Sequence, residues 1–255
     1  MKKLLVLLTS LILSCSLFAE IKDFNDYREK KMSLYCEEDY KTVNSNINSE
    51  LALLRNNKSN YSEEEFLTYE TFLIIDSLFF NLEENELPKE KEDYFSNLFL
   101  SQEEKMEDYM GKRKLKEFSS NFLLALGDLK CQMPYVISIP KSIPKLKDAK
   151  EIYEQAVQND PSSSASLMSY SLWYEYSPGI AGGSHKKAYE IMCNAEKKAK
   201  TNVDKFFAKM FKSQILNSLK KYDESIASMK EAHALFPTET FSDYLIKELE
   251  IDVVL

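Results

Sequence analysis

The sequence predicts an all-α protein, and three observations carry that expectation. Five glycines and seven prolines in 255 residues are few, and a β-sandwich would need turn signals far more often. Apolar residues recur at steps of three and four over much of the chain, the spacing of one helix face. One helical pattern of small, bulky and small residues also appears three times between Ala149 and Pro237. Its copies are Ala149, Tyr153, Ala156 with Pro161; Ala188, Met192, Ala195; and Ser225, Met229, Ala232 with Pro237. The middle copy has Lys200 where the closing proline would fall.

The N-terminus reads as an export signal over residues 1–19. Lys2 and Lys3 form a positive start and Leu4 to Leu13 an apolar run too short to span a bilayer. Two processing routes are open. Leu17-Phe18-Ala19 before Glu20 fits ordinary signal cleavage, whereas Ile12-Leu13-Ser14-Cys15 resembles a loose lipobox that would lipidate Cys15. Either route sends the protein to the periplasm or cell envelope, with membrane attachment only through that candidate lipid. Loss of Lys2 and Lys3 takes the net charge from −8 to about −10, which disfavours nucleic acid and anionic lipid as partners.

Ordinary cleavage leaves Cys36, Cys131 and Cys193. An oxidising compartment permits one bridge, for which Cys36–Cys131 is the candidate pair; the alternative is three buried free thiols. With no CxxC and only His185 and His233 as imidazoles, no metal site or cofactor is expected.

In chain order, Asp23 to about Asn56 reads as helix, with Tyr40, Val43, Ile47, Leu51 and Leu54 on one face. Ser62 with Glu65 is a capping box that opens a helix apolar on more than one side, which is therefore expected to sit centrally. Tyr94 to Met110 reads as one broken helix or two, parted near Ser101. Lys114 to Cys131 carries Leu115, Phe118, Phe122, Leu126 and Leu129 at helical spacing, with Gly127 as a small contact point. Residues 20–132 thus form an N-terminal helical region. Pro134, Pro140 and Pro144 make 133–144 the clearest non-helical stretch, a loop or a linker.

Residues 145–255 resemble the tetratricopeptide repeat (TPR), a pair of antiparallel helices repeated every 34 residues. The small residues let two helices approach, the bulky one fills the gap beside them, and proline ends the helix. Leu167, Tyr170, Ser171 and Tyr174 match the first helix of the same unit. The resemblance implies a right-handed α-solenoid closed by a capping helix over Phe241 to Leu249. Two stretches depart from the pattern. The chain from Ser177 to Ser184 is about five residues longer than the repeat allows. Asp204 to Leu219 puts Lys209 and Lys212 at core positions and is expected to run a turn longer than usual. The Pro178–Ser184 connection followed by Lys187-Ala188 also resembles the TPR component associated with periplasmic TRAP transporters.

No catalytic constellation is visible, so the expected function is non-enzymatic: a scaffold or adaptor that engages a protein or peptide in a concave groove. In the TPR family the groove positions correspond to Met168, Leu172, Glu175 and Tyr176. The glycine-rich loop, with Gly179, Gly182 and Gly183, is a second candidate. It would either bring backbone amides to an anion or serve as a wide turn capped by Ser184. The alternative function, implied by the transporter resemblance, is an accessory of a solute transporter handling a small-molecule ligand.

Overall fold

The structure is a computed structural model that describes residues 21–36, 40–83, 86–239, 242, 246 and 247. The signal segment and Cys15 lie outside the described residues, as does most of the expected capping helix, of which Ser242, Ile246 and Lys247 are helical. Among the described residues there are ten α-helices: α1 (Phe24–Tyr35), α2 (Tyr40–Asn56), α3 (Glu63–Phe79), α4 (Lys89–Met110), α5 (Ser120–Gln132), α6 (Ile139–Asn159), α7 (Ser164–Tyr176), α8 (His185–Lys198), α9 (Asn202–Ser218) and α10 (Tyr222–His233).

Short polar residues set the helix starts. Asp23, Ser62, Ser119, Ser163, Ser184 and Thr201 each cap a helix, accepting from the amide three residues on. Each such cap is worth about 1 kcal/mol. Ser62 and Glu65 form the expected reciprocal box, with the Ser62 amide donating to the Glu65 carboxylate at 2.9 Å. Ser119 also explains why α5 begins later than the periodicity suggests: Leu115–Glu117 is a separate 3-10 turn.

The proline stretch is more helical than expected. After a 3-10 turn at Met133–Tyr135, α6 starts at Ile139 and runs through both Pro140 and Pro144. Pro140 sits in the first turn, where a missing amide costs nothing. Pro144 removes the donor to the Pro140 carbonyl, but both residues are exposed and water can take its place. The non-helical part of 133–144 thus shrinks to a short connection. Near Ser101 no break occurs. Helix α4 is continuous because Phe95, Phe99, Gln102, Glu103 and Met106 form one buried stripe across that point.

The helices pack as pairs, α5 with α6, α7 with α8 and α9 with α10, while α3, α5, α7 and α9 also meet in succession as an inner row. All nine signature residues are buried. Serine hydroxyls tie the pairs where the backbones come close. Ser120 donates to the Ala156 carbonyl at 2.9 Å, Ser171 to Ala188 at 2.6 Å, Ser164 to Ala195 at 2.9 Å and Ser225 to Ser213 at 2.8 Å. The longer α9 has 17 residues against 13 in α5 and α7. It keeps register with Ser213 at the small position, and Lys209 and Lys212 reach Glu196 of α8 at 3.0 and 2.8 Å.

The same device joins the N-terminal helices to the stack. Glu70 of α3 receives Arg55 and Lys105 at 2.8 and 3.3 Å, and Glu103 of α4 receives Lys130 and Lys145 at 2.6 and 2.7 Å. Helix α3 is buried at every residue from Phe66 to Leu78, the central placement that its two-sided hydrophobicity implied. The result is an all-α, TPR-like helical stack.

Candidate binding groove

The inner row presents one face to α1. Lys31 of α1 pairs with Asp76 of α3, and the Tyr27 hydroxyl donates to the same carboxylate at 2.5 Å. One turn earlier, the Arg28 Nε lies 3.0 Å from Asp204 of α9, and the guanidinium sits over Phe207, 5.2 Å from the ring centre. Three residues span only about 4.5 Å along a helix axis. A single turn of α1 therefore touches both ends of the inner row, so the row curls around α1 and α1 occupies its concave side.

Aromatic rings line the contact. Tyr27 stacks on Phe72 with ring centres 5.1 Å apart, and Phe24 lies 5.4 Å from Phe72. Carboxylates supply the polarity: Asp76 from α3, Asp128 from α5 and Asp204 from α9. Asp128 accepts from the Tyr153 hydroxyl at 2.7 Å. Burial pushes its pKa up to about 6, against the opposing pull of Tyr153, Ser169, Lys31 and Arg28. Burial also lowers the Arg28 pKa, despite Asp204. The Arg28 Nε and Nη2 atoms are buried; Nε has the Asp204 carboxylate 3.0 Å away, and Nη2 has no hydrogen-bond partner.

The expected groove residues on α7 divide. Met168 is 2 % exposed and belongs to the core, and Glu175 is buried too, so neither offers a free surface. Leu172 is half-buried against the core. Tyr176 is 68 % exposed, and its hydroxyl donates to Gln214 of α9 at 3.0 Å. The physical reason is packing: α7 meets α5, α6, α8 and α9, which cover most of its surface. Glu175 instead meets His185, with Oε2 and Nδ1 3.0 Å apart, a pairing across the loop that sequence reading missed. His233 Nδ1 lies 3.0 Å from the Ser242 hydroxyl.

The glycine-rich loop is a self-contained turn. The amides of Gly182, Gly183 and Ser184 donate to the carbonyls of Gly179, Pro178 and Tyr174, which leaves none of the three for an anion. Gly182 has φ +99°, and a Cβ on Gly183 would lie 1.7 Å from the Ser177 carbonyl oxygen. These glycines answer to backbone geometry; Gly179 has open space around it. Ser184 caps α8 as the turn reading expects.

In the structure Cys36, Cys131 and Cys193 are free thiols, without a Cys36–Cys131 bridge. Burial pushes the Cys131 thiol up to about 12. Two cavities among the described residues bear on binding. An open cleft of about 490 Å³ lies where the start of α5 meets the end of α6. Two of its polar groups are spent internally, the Ser119 amide on Glu64 and Asn159 on the Phe118 carbonyl. A cavity of about 30 Å³ beside Glu50 and Asp76 has room for little more than one water.

No family model matches the chain, and no curated protein matches it either. Solved structures do. A thermophilic TPR protein of Thermus thermophilus aligns at 13% identity and TM-score 0.59, over 81% of this chain and 92% of that one. A chain of the APC/C hetero-tetramer Cut9–Hcn1 aligns at 13% identity and TM-score 0.52, over 90% of this chain and 36% of that one. This chain is thus TPR-like in fold.

Proposed function

We propose that this protein is a non-enzymatic scaffold or adaptor of the cell envelope that engages a protein or peptide through the concave side of its helical stack. The observation that carries the reading is the inner row itself. It is a curved surface of aromatic rings and carboxylates that already holds a helix by the contacts a partner would use. Export rests on the Lys2–Lys3 start, the Leu4 to Leu13 run and the two processing signals.

The solute-handling alternative has less support. It calls for an enclosed chamber; the cavity beside the inner row measures about 30 Å³, far below the ~300 Å³ of a small-molecule pocket, and the cleft of about 490 Å³ at the start of α5 is open to solvent. Affinity capture from the native envelope, with and without crosslinking, tests the scaffold reading. A specific protein partner is expected. If none is enriched, and a small molecule instead raises the melting temperature, the scaffold reading fails. Mass measurement of the mature N-terminus decides between lipidated Cys15 and cleavage before Glu20.

A further inference from the structure

Helix α1 fits its groove incompletely. The inner row directs three carboxylates at it, Asp76, Asp128 and Asp204, and α1 returns two cations to them, Arg28 and Lys31. The third cation, Lys30, turns the other way, 3.7 Å from Glu50 of α2. Asp128 is therefore held by hydroxyl-bearing neighbours, Tyr153 and Ser169, rather than by a direct ion pair. Nearby, Arg28 spends its Nε on Asp204 and keeps a buried Nη2 without a hydrogen bond. A buried donor and a buried acid that do not pair mark a contact short of its optimum.

The apolar hold on α1 is also slight. Among its described side chains only Tyr27 and Met32 are buried, against thirteen consecutive buried residues in α3. The serine ties of the packed pairs involve none of the atoms of α1.

We propose that the acidic concave face is a receptor for a basic amphipathic helix of a protein partner, and that α1 is a built-in occupant displaced when that helix binds. This rests on the scaffold reading and names the partner's chemistry. The partner helix carries an aromatic residue, a cation at the next position and another three residues later, as Tyr27, Arg28 and Lys31 do. A third cation reaches Asp128, and that added pairing lets it outcompete α1.

The test uses the full chain and two labelled peptides, read by fluorescence anisotropy. One peptide copies residues 21–35, and the other is the same peptide with Arg28→Glu and Lys31→Glu. Binding of the first is expected to be at least about tenfold tighter to the chain carrying Arg28→Ala and Lys31→Ala than to the unaltered chain, because loosening α1 raises the competent fraction. The charge-reversed peptide is expected not to bind, and Asp204→Asn in the chain to weaken the first peptide. Hydrogen exchange provides the second measurement, on the unaltered chain with saturating peptide. Amides of 24–35 are expected to exchange faster while those of α3 and α5 do not.

Equal binding of both peptides, no binding to either chain, or peptide binding without faster exchange in 24–35 would each overturn the proposal. So would a dimer held by exchanged α1 helices and dissolved by the first peptide, since the occupant would then be a second copy. A captured envelope partner whose binding ignores Asp76→Asn and Asp204→Asn sinks this inference and leaves the scaffold reading standing. Absence of any partner sinks both.

Discussion

Gly127→Ala should destabilise this protein although it replaces glycine inside a helix. In an unencumbered helix interior the change gains about 1 kcal/mol from propensity. Here an added Cβ would lie 2.5 Å from Cε1 of Tyr153, where ordinary contact begins near 3.4 Å, so the ring must move by about 1 Å. Tyr153 cannot easily give way. It is buried, its hydroxyl is fixed on Asp128 at 2.7 Å, and it is the bulky member of the first signature copy. Overpacking of this kind costs about 1–3 kcal/mol, and loosening the bond to Asp128 adds about 1 kcal/mol more. Set against the propensity gain, the net loss should be about 1–3 kcal/mol, or roughly 2–12 °C in melting temperature for a chain of this size. Calorimetry or thermal circular dichroism measures it. A companion cycle uses Tyr153→Leu, which vacates the space above position 127. The double variant should be more stable than the sum of the single losses by about 1 kcal/mol. A rise in melting temperature for Gly127→Ala alone would refute the close α5–α6 approach from which the stack is argued.

Four further outcomes follow from the same contacts. Asp128 binds its proton with pKa about 6 in the folded chain against 3.8 unfolded, so the folded state holds more protons between those values and stability falls as pH rises through them. Asp128→Asn should therefore gain up to about 3 kcal/mol over the parent above pH 6 and nothing below pH ~4, read from urea melts across pH. Glu103→Ala leaves Lys130, 3 % exposed, with only the half-exposed Glu107 and the more distant, exposed Asp148. It should cost about 3–5 kcal/mol, while Glu103→Leu with Lys130→Met should recover most of that loss in the same melts. Gly183→Ala should open the Pro178–Ser184 turn, seen as faster limited proteolysis there with little change in melting temperature; unchanged cleavage would contradict the close Ser177 contact. Thiol titration should find Cys131 unreactive in the folded chain and all three thiols reactive in denaturant without reductant; a missing pair would restore the bridge.

The parts of the fold legible in sequence were those coded locally. The signature copies, the Ser62–Glu65 box and the Leu167 to Tyr174 face all lie within a turn or two of chain, and helical periodicity exposes them. Even the irregular α9 was anticipated in length. Its lysines occupy core register because Glu196, a helix away, answers them. The groove was not legible in the same way. Arg28 meets Asp204 across 176 residues, and no local pattern announces that a helix near the N-terminus will fill the concave face. Met168 and Glu175 fall on the family's groove positions, but those positions say nothing about core packing of Met168 or the His185 partner of Glu175 across the loop. The prolines misled for the opposite reason. Pro140 and Pro144 are local signals, but a first turn and exposed carbonyls make them tolerable inside α6.

The placement of α1 across the inner row is best tested by a double-mutant cycle on Arg28 and Asp204. Arg28→Met, Asp204→Asn and the double variant would be compared by urea unfolding at neutral pH and low salt. With the two groups in contact as the structure has them, each single change leaves a partly buried charge unanswered, and the coupling should reach at least about 1 kcal/mol. Losses that add to within ~0.5 kcal/mol would mean that α1 does not reach α9, and the concave face would then lie open.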